Sequence, residues 1–168
     1  MTAIAQTAAV PAAPPQRLER TRFCSRCAAT AGEPEAQLLP FGFDRVCGRC
    51  GMGVMLSAPR KVLPVPAAAL LVVTRDGRIS AVSEAAERLV GDEAGLLGMP
   101  ITTALTSLED EKQLVRSLAR AAGGGREIVE TTVIAAAQPA GKPGQMRARI
   151  AGCGPPRAAL LVLERGLP

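Results

Sequence analysis

Two Cys-x-x-Cys pairs constrain this chain more than any other feature: Cys24 and Cys27 in "FCSRC", Cys47 and Cys50 in "VCGRCGMG". Nineteen residues separate Cys27 from Cys47, a gap that lets two turns converge on one ion. Four thiolates close a tetrahedral shell. Zn²⁺ suits such a shell because it favours soft sulfur ligands and has no geometric demand of its own, and the closed shell leaves no position for water or substrate. The expected site is therefore structural, with Cys24, Cys27, Cys47 and Cys50 as ligands and Zn²⁺ as the ion; iron in a rubredoxin-like site has the same ligand set and stays open on spacing. Gly48 and Gly51 suit the second turn, since a residue without Cβ takes the positive φ that aims N–H groups at the sulfurs. "CSRCAA" lacks those glycines, so the first turn is the less typical one.

Other uses of the cysteines fit less well. A thioredoxin-like redox pair needs a βαβ pattern beside its Cys-x-x-Cys, and neither pair has one. Disulfides need an oxidising compartment. The opening "MTAIAQTAAVPAAPPQ" has neither the basic start nor the uninterrupted apolar core of a signal peptide. Residues 1–20 read instead as an Ala/Pro tail without packed structure, and the chain as cytoplasmic.

Composition changes at "PRKVLPVP", residues 59–66, which reads as a Pro-rich linker. All three aromatic residues, Phe23, Phe41 and Phe43, precede it, and the chain has no Trp, Tyr or His. The expected organisation is a zinc ribbon over residues 21–58, the linker, and a second module over 67–166. The second module must bury an aliphatic core. Its longest apolar run, "VPAAALLVV", stops at Thr74, far short of the roughly 18 residues of a membrane span. The net charge is +5, and up to residue 61 basic groups outnumber acidic ones two to one. Arg26 and Arg49, inside the knuckles, either offset thiolate charge or form a surface for an acidic partner.

In the second module, "ALLVVT", "RDGR" and "ISAV" make a hairpin turning at Gly77. Ser83 stands at the N-cap of a short helix, "EAAERLVG", that stops at Gly91, and "DEAGLLGMP" gives another helical turn. Thr106 and Glu109 have capping-box spacing, so a longer helix is expected from there, with Leu114, Val115, Leu118, Ala121 and Ala122 on its apolar face and Gly123–Gly125 ending it. Three strand-like runs follow: "REIVETTVIAAA", "QMRARIAGC" and "RAALLVLER".

This succession resembles the PAS family over about residues 67–165. The phrase "LLVVTRDGRISAVSEAAERLVGDEAGLLGMPI" is similar to the family's opening strand, acidic-Gly turn, second strand and capped helix. Ser83 stands where the family commonly has Asn, keeping the capping oxygen without the amide donors. The resemblance implies an α+β fold: after the four-cysteine zinc ribbon, a five-stranded antiparallel sheet with helices on one face, in a sensing or interaction module that often dimerises. No histidine is present as the usual haem ligand, and no Cys-centred flavin motif lies in the helical region, so neither haem nor flavin is expected. Cys153 reads as a small core residue.

Catalytic constellations are missing. Ser-His-Asp and Cys-His sites are impossible without histidine, Glu109, Asp110 and Glu111 read as helix-start charges, and "AAGGGRE" lacks the Lys-Ser/Thr of a phosphate loop. The residues beyond the last strand-like run are too few for an output domain. Two readings remain. In the first, the chain is a non-enzymatic regulatory protein whose ribbon docks a partner protein, with Arg45 the candidate contact and a homodimer through the PAS-like module. In the second, the ribbon binds nucleic acid under control of that module. The few aromatics favour the first. Any small-molecule ligand is unassigned.

Overall fold

A computed structural model of the chain describes residues 18–31, 45–63, 68–136 and 144–165. The expected N-terminal tail up to residue 17, and Phe41, Phe43 and Asp44, lie outside the described residues. The fold is α+β, with two antiparallel sheets among the described residues.

The small sheet belongs to the cysteine segment. Strands β1 (Arg20–Cys24), β2 (Thr30–Ala31) and β3 (Met55–Pro59) lie in the order β2-β1-β3. β1 pairs along its full length with β3, from Arg20 opposite Pro59 to Cys24 opposite Met55. This pairing brings the two knuckles together.

The large sheet has six strands in the order β5-β4-β9-β8-β7-β6: β4 (Ala69–Val73), β5 (Ile79–Val82), β6 (Leu105–Ser107), β7 (Val129–Ala135), β8 (Met146–Cys153) and β9 (Ala158–Arg165). Among the described residues four helices connect them: α1 (Glu84–Val90), α2 (Glu93–Leu96), α3 (Ile101–Ala104) and α4 (Glu111–Ala122). Ser83 caps α1 as expected, its Oγ accepting from the Ala86 N–H at 3.3 Å, and Gly91 (φ +110°) ends that helix. The hairpin turns at Gly77, whose φ of +80° only glycine adopts cheaply.

The expected capping box does not form. Thr106 lies in β6, opposite Ile134 of β7, adding a sixth strand to the expected five. A β-branched residue beside the buried Leu105 fits a pleated edge, and the longer helix starts five residues later, with the Asp110 carboxylate accepting from the Lys112 N–H at 2.8 Å. On α4, Leu114, Leu118, Ala121 and Ala122 are buried while Val115 is 39% exposed at the border of the apolar stripe.

Alternation along the central strands builds two cores. Leu71 and Val73 of β4, with Ala159, Leu161 and Leu163 of β9, meet the helices. Their neighbours Leu70, Val72, Ala158, Leu160 and Val162 face the other way and pack with Phe23, Ala28, Leu56 and Ala58 of the cysteine segment. The described part of the expected linker is built into this second layer: Pro59 ends β3, Arg60–Val62 form a 3-10 turn, and Val62 and Leu63 are buried. Residues 64–67 lie outside the described residues. Ser57 and Gly154 exchange backbone hydrogen bonds of 2.8 and 3.0 Å, stitching β3 to the end of β8.

Candidate metal centre

Each cysteine pair sits on a tight turn of the same form. After β1, the Ala28 N–H donates to the Cys24 carbonyl at 3.1 Å; in the second knuckle the Gly51 N–H donates to the Cys47 carbonyl at 2.8 Å. Gly51 has the expected positive φ of +69°, and Ala28 occupies the equivalent place with φ +55°. A left-handed alanine costs about 1–2 kcal/mol, but Ala28 is buried beside Phe23, where its methyl fills the shared core. That is why the first knuckle works without glycine. Gly48, expected to need positive φ, does not have it, and a Cβ there would meet nothing within 4 Å.

The glycine that matters is Gly53, which the Cys-x-x-Cys spacing did not single out. A Cβ on it would stand 2.3 Å from Cys24 Sγ and 2.8 Å from the Arg26 backbone nitrogen, so only glycine lets the second knuckle close on the first. Ser25 is the other missed residue; its buried hydroxyl accepts from the Val54 N–H at 3.0 Å and ties the knuckles together.

All four sulfurs of Cys24, Cys27, Cys47 and Cys50 lie within 4.8 Å of one another. Cys24 Sγ is 3.7 Å from Cys50 Sγ, and Cys27 Sγ is 3.8 Å from Cys47 Sγ. A tetrahedral ion with metal–sulfur bonds of about 2.3 Å has an edge of about 3.8 Å, whereas a disulfide would need about 2.05 Å. The four cysteines thus converge as a group that could hold a metal ion. No protein-family model matches the chain, and no curated protein matches its sequence.

Backbone N–H groups of Arg26 and Cys27 point at Cys24 Sγ, and that of Gly53 at Cys50 Sγ, each at 3.4 Å. Burial pushes the Cys24 thiol up to about 12 and raises Cys27. The N–H groups of Met52 and Gly53 bring Cys50 down to about 6. Four thiolates coexist in such a place only around a cation, whose charge outweighs the burial penalty. Cys153 is elsewhere, buried at the end of β8 and likewise pushed up to about 12 by burial, as a core thiol should be.

Arg26 and Arg49, alike in the sequence, separate in the structure. Arg26 turns away from the thiolates and joins the large-sheet module: its Nη1 contacts Glu87 at 2.8 Å and Glu93 at 3.4 Å and donates to the Val82 carbonyl at 3.2 Å. Its own carbonyl accepts from the Glu84 N–H at 3.0 Å. Arg49 is exposed on the second knuckle, as is Arg45, whose carbonyl accepts from the Met55 N–H. Val46, Met52 and Val54 are also exposed there.

Proposed function

We propose that Cys24, Cys27, Cys47 and Cys50 hold one structural Zn²⁺, and that the chain is a non-enzymatic cytoplasmic regulator. In this reading a PAS-like module senses or pairs, without haem or flavin, and a zinc ribbon presents a surface to a partner protein. The tetrahedral-edge separation of the sulfurs carries the metal half of the proposal. Zn²⁺ would supply charge neutralisation and folding free energy, and no chemistry on a substrate, because every coordination position is a cysteine. The regulatory half is supported by the succession of strands and helices and by the shared apolar layer between the cysteine segment and the sheet. That layer couples the two parts mechanically, so a change in one reaches the other through packed side chains.

The second knuckle, with Arg45, Arg49 and the exposed Val46, Met52 and Val54, is the partner-facing surface in this reading. Its mixture of apolar and basic side chains suits a protein with acidic and apolar groups. No aromatic side chain is exposed among the described residues, since Phe23 is fully buried, which weighs against base stacking on nucleic acid.

Elemental analysis of the intact chain expressed in zinc-replete cells should find about one zinc per chain; less than about half an equivalent, with no iron in its place, ends the metal reading. Arg45→Glu should abolish capture of a native protein partner while both forms show negligible nucleic-acid binding near physiological salt. Tight nucleic-acid binding that falls steeply as salt rises would replace this reading with the nucleic-acid one.

A further inference from the structure

A groove of about 670 Å³ opens where the cysteine segment meets the C-terminal end of α4. Separate stretches of chain form its walls: the start of β1, the end of β3, the glycine loop after α4, and the turn between β8 and β9. Three of them contribute arginines, Arg20, Arg126 and Arg157. Among the described lining residues there is one carboxylate, Glu19, and Arg60 already neutralises it at 2.8 Å.

The three guanidinium groups are differently held. Arg20 is anchored, its Nε donating to Ser57 Oγ at 3.2 Å and its Nη2 to the Ser57 carbonyl at 2.6 Å, which leaves Nη1 for a ligand. Arg126 and Arg157 are exposed, and neither has a hydrogen-bond or ion-pair partner among the described residues. Arg157 Nη1 lies over the glycine loop, 4.0 Å from where a Cβ of Gly124 would stand. Gly152 allows the floor to close, because a Cβ there would come within 2.7 Å of the Ala121 carbonyl oxygen.

We propose that this groove binds a small organic oxyanion, a phosphate ester or carboxylate with a short apolar body. Planar guanidinium groups match both head groups through paired N–H donors. The end of α4 places about half a negative charge nearby, which three arginines outweigh. Leu18, Pro59, Ala121 and Pro155 supply apolar wall for the body. The volume falls in the roughly 300–1,000 Å³ range of small-molecule sites, and among the described residues no aromatic ring lines the groove to stack a base. The groove is distinct from the space between the sheet and its helices, and the inference does not rest on the regulatory reading above.

The test is an amide-resolved NMR titration of the intact, metal-loaded chain at fixed near-physiological salt. Butyl phosphate and butyrate are the probes, sharing one apolar body under different head groups, and butanol is the neutral control. At least one anion should give saturable shifts confined to the segments lining the groove, residues 18–20, 121–126 and 152–157, and butanol none; the anion that binds tighter identifies the head group. The double variant Arg126→Ala/Arg157→Ala should raise its Kd about tenfold or more, with an otherwise unchanged spectrum because both side chains are exposed. Arg75→Ala, outside the groove, should leave the Kd unchanged. No saturable shift up to about 10 mM, shifts spread over exposed arginines in general, or wild-type affinity in the double variant would each overturn the proposal.

Discussion

Leu160 and Leu161 are adjacent on β9 and both fully buried, yet different things bury them. Leu161 points into the layer between the large sheet and its helices, where both walls come from one continuous module. Leu160 points into the opposite layer, where the sheet provides one wall and Phe23, Ala28, Leu56, Ala58, Val62 and Leu63 provide the other. Among the described residues, those six pack in one cluster with the sheet. The cysteine segment thus packs on the sheet at one end and carries the cluster of four cysteines, the proposed metal site, at the other. One face of the sheet is intrinsic to its module, and the other is conditional on the cysteine segment being folded.

Removing the metal should give the largest effect and the clearest break between the faces. Structural zinc contributes about 10–16 kcal/mol to folding of comparable knuckles, as much as the whole stability of a typical domain, about 5–15 kcal/mol. Chelation, or Cys24→Ser, should abolish hydrogen-exchange protection in β1 and β3 and expose the Leu160 face to hydrophobic dye, while amides of α4 and β7 stay protected. Equal loss everywhere would mean the two faces form one cooperative unit.

The neighbouring leucines sharpen the contrast. Leu160→Ala and Leu161→Ala should each cost about 2–5 kcal/mol in the metal-loaded chain, read from denaturant midpoints. After chelation the Leu161→Ala cost should persist and the Leu160→Ala cost should largely vanish, because its far wall is gone. Smaller again is Gly53→Ala. Its Cβ would overlap Cys24 Sγ at 2.3 Å, so the knuckles must part, at about 1–3 kcal/mol for an overpacked site. Competition with a chelator should show metal affinity lowered at least about tenfold, with Gly48→Ala, which meets no neighbour, as the silent control.

The two halves also differ in how far they could be read from residues alone. Cysteine spacing picked out the four residues that cluster because paired Cys-x-x-Cys turns have few other uses, and Ser83 and Gly91 marked the ends of α1 because capping is local. Thr106 misled for the complementary reason: its capping-box spacing is a local signal, and pairing with β7, about 28 residues away in sequence, overrode it. Gly53 was invisible because its necessity comes from Cys24, across the small sheet. Residues 59–63 looked like a linker since prolines punctuate locally, whereas Val62 and Leu63 are buried by partners as distant as Leu160. The continuous apolar run of β9, Ala158 to Leu163, implies two covered faces but does not say what covers the second.

The smallest expected effect concerns the polar seam that accompanies the conditional face. Arg26 lies between Cys24 and Cys27 and reaches Glu87 and Glu93 on the other module, so it is aligned only while the knuckle is formed. Hydrogen bonding to Arg26, then to the Glu93 N–H, holds the Glu87 carboxyl below its ordinary value of 4.5. A carboxyl with a depressed native pKa adds stability that is present in full above its unfolded value and is lost as pH falls through the lower native one. A comparison at pH 7 therefore captures the whole contribution. Glu87→Gln should lower the midpoint of the metal-loaded chain by an amount typical of partly exposed ion pairs, well below either leucine substitution. The difference should close as pH drops below the native Glu87 pKa, and at pH 7 it should be absent from the chelated chain, where Arg26 no longer stands opposite. A Glu87→Gln effect that survives chelation at pH 7 would assign this carboxylate to α1 itself and remove the seam from the coupling between the two modules.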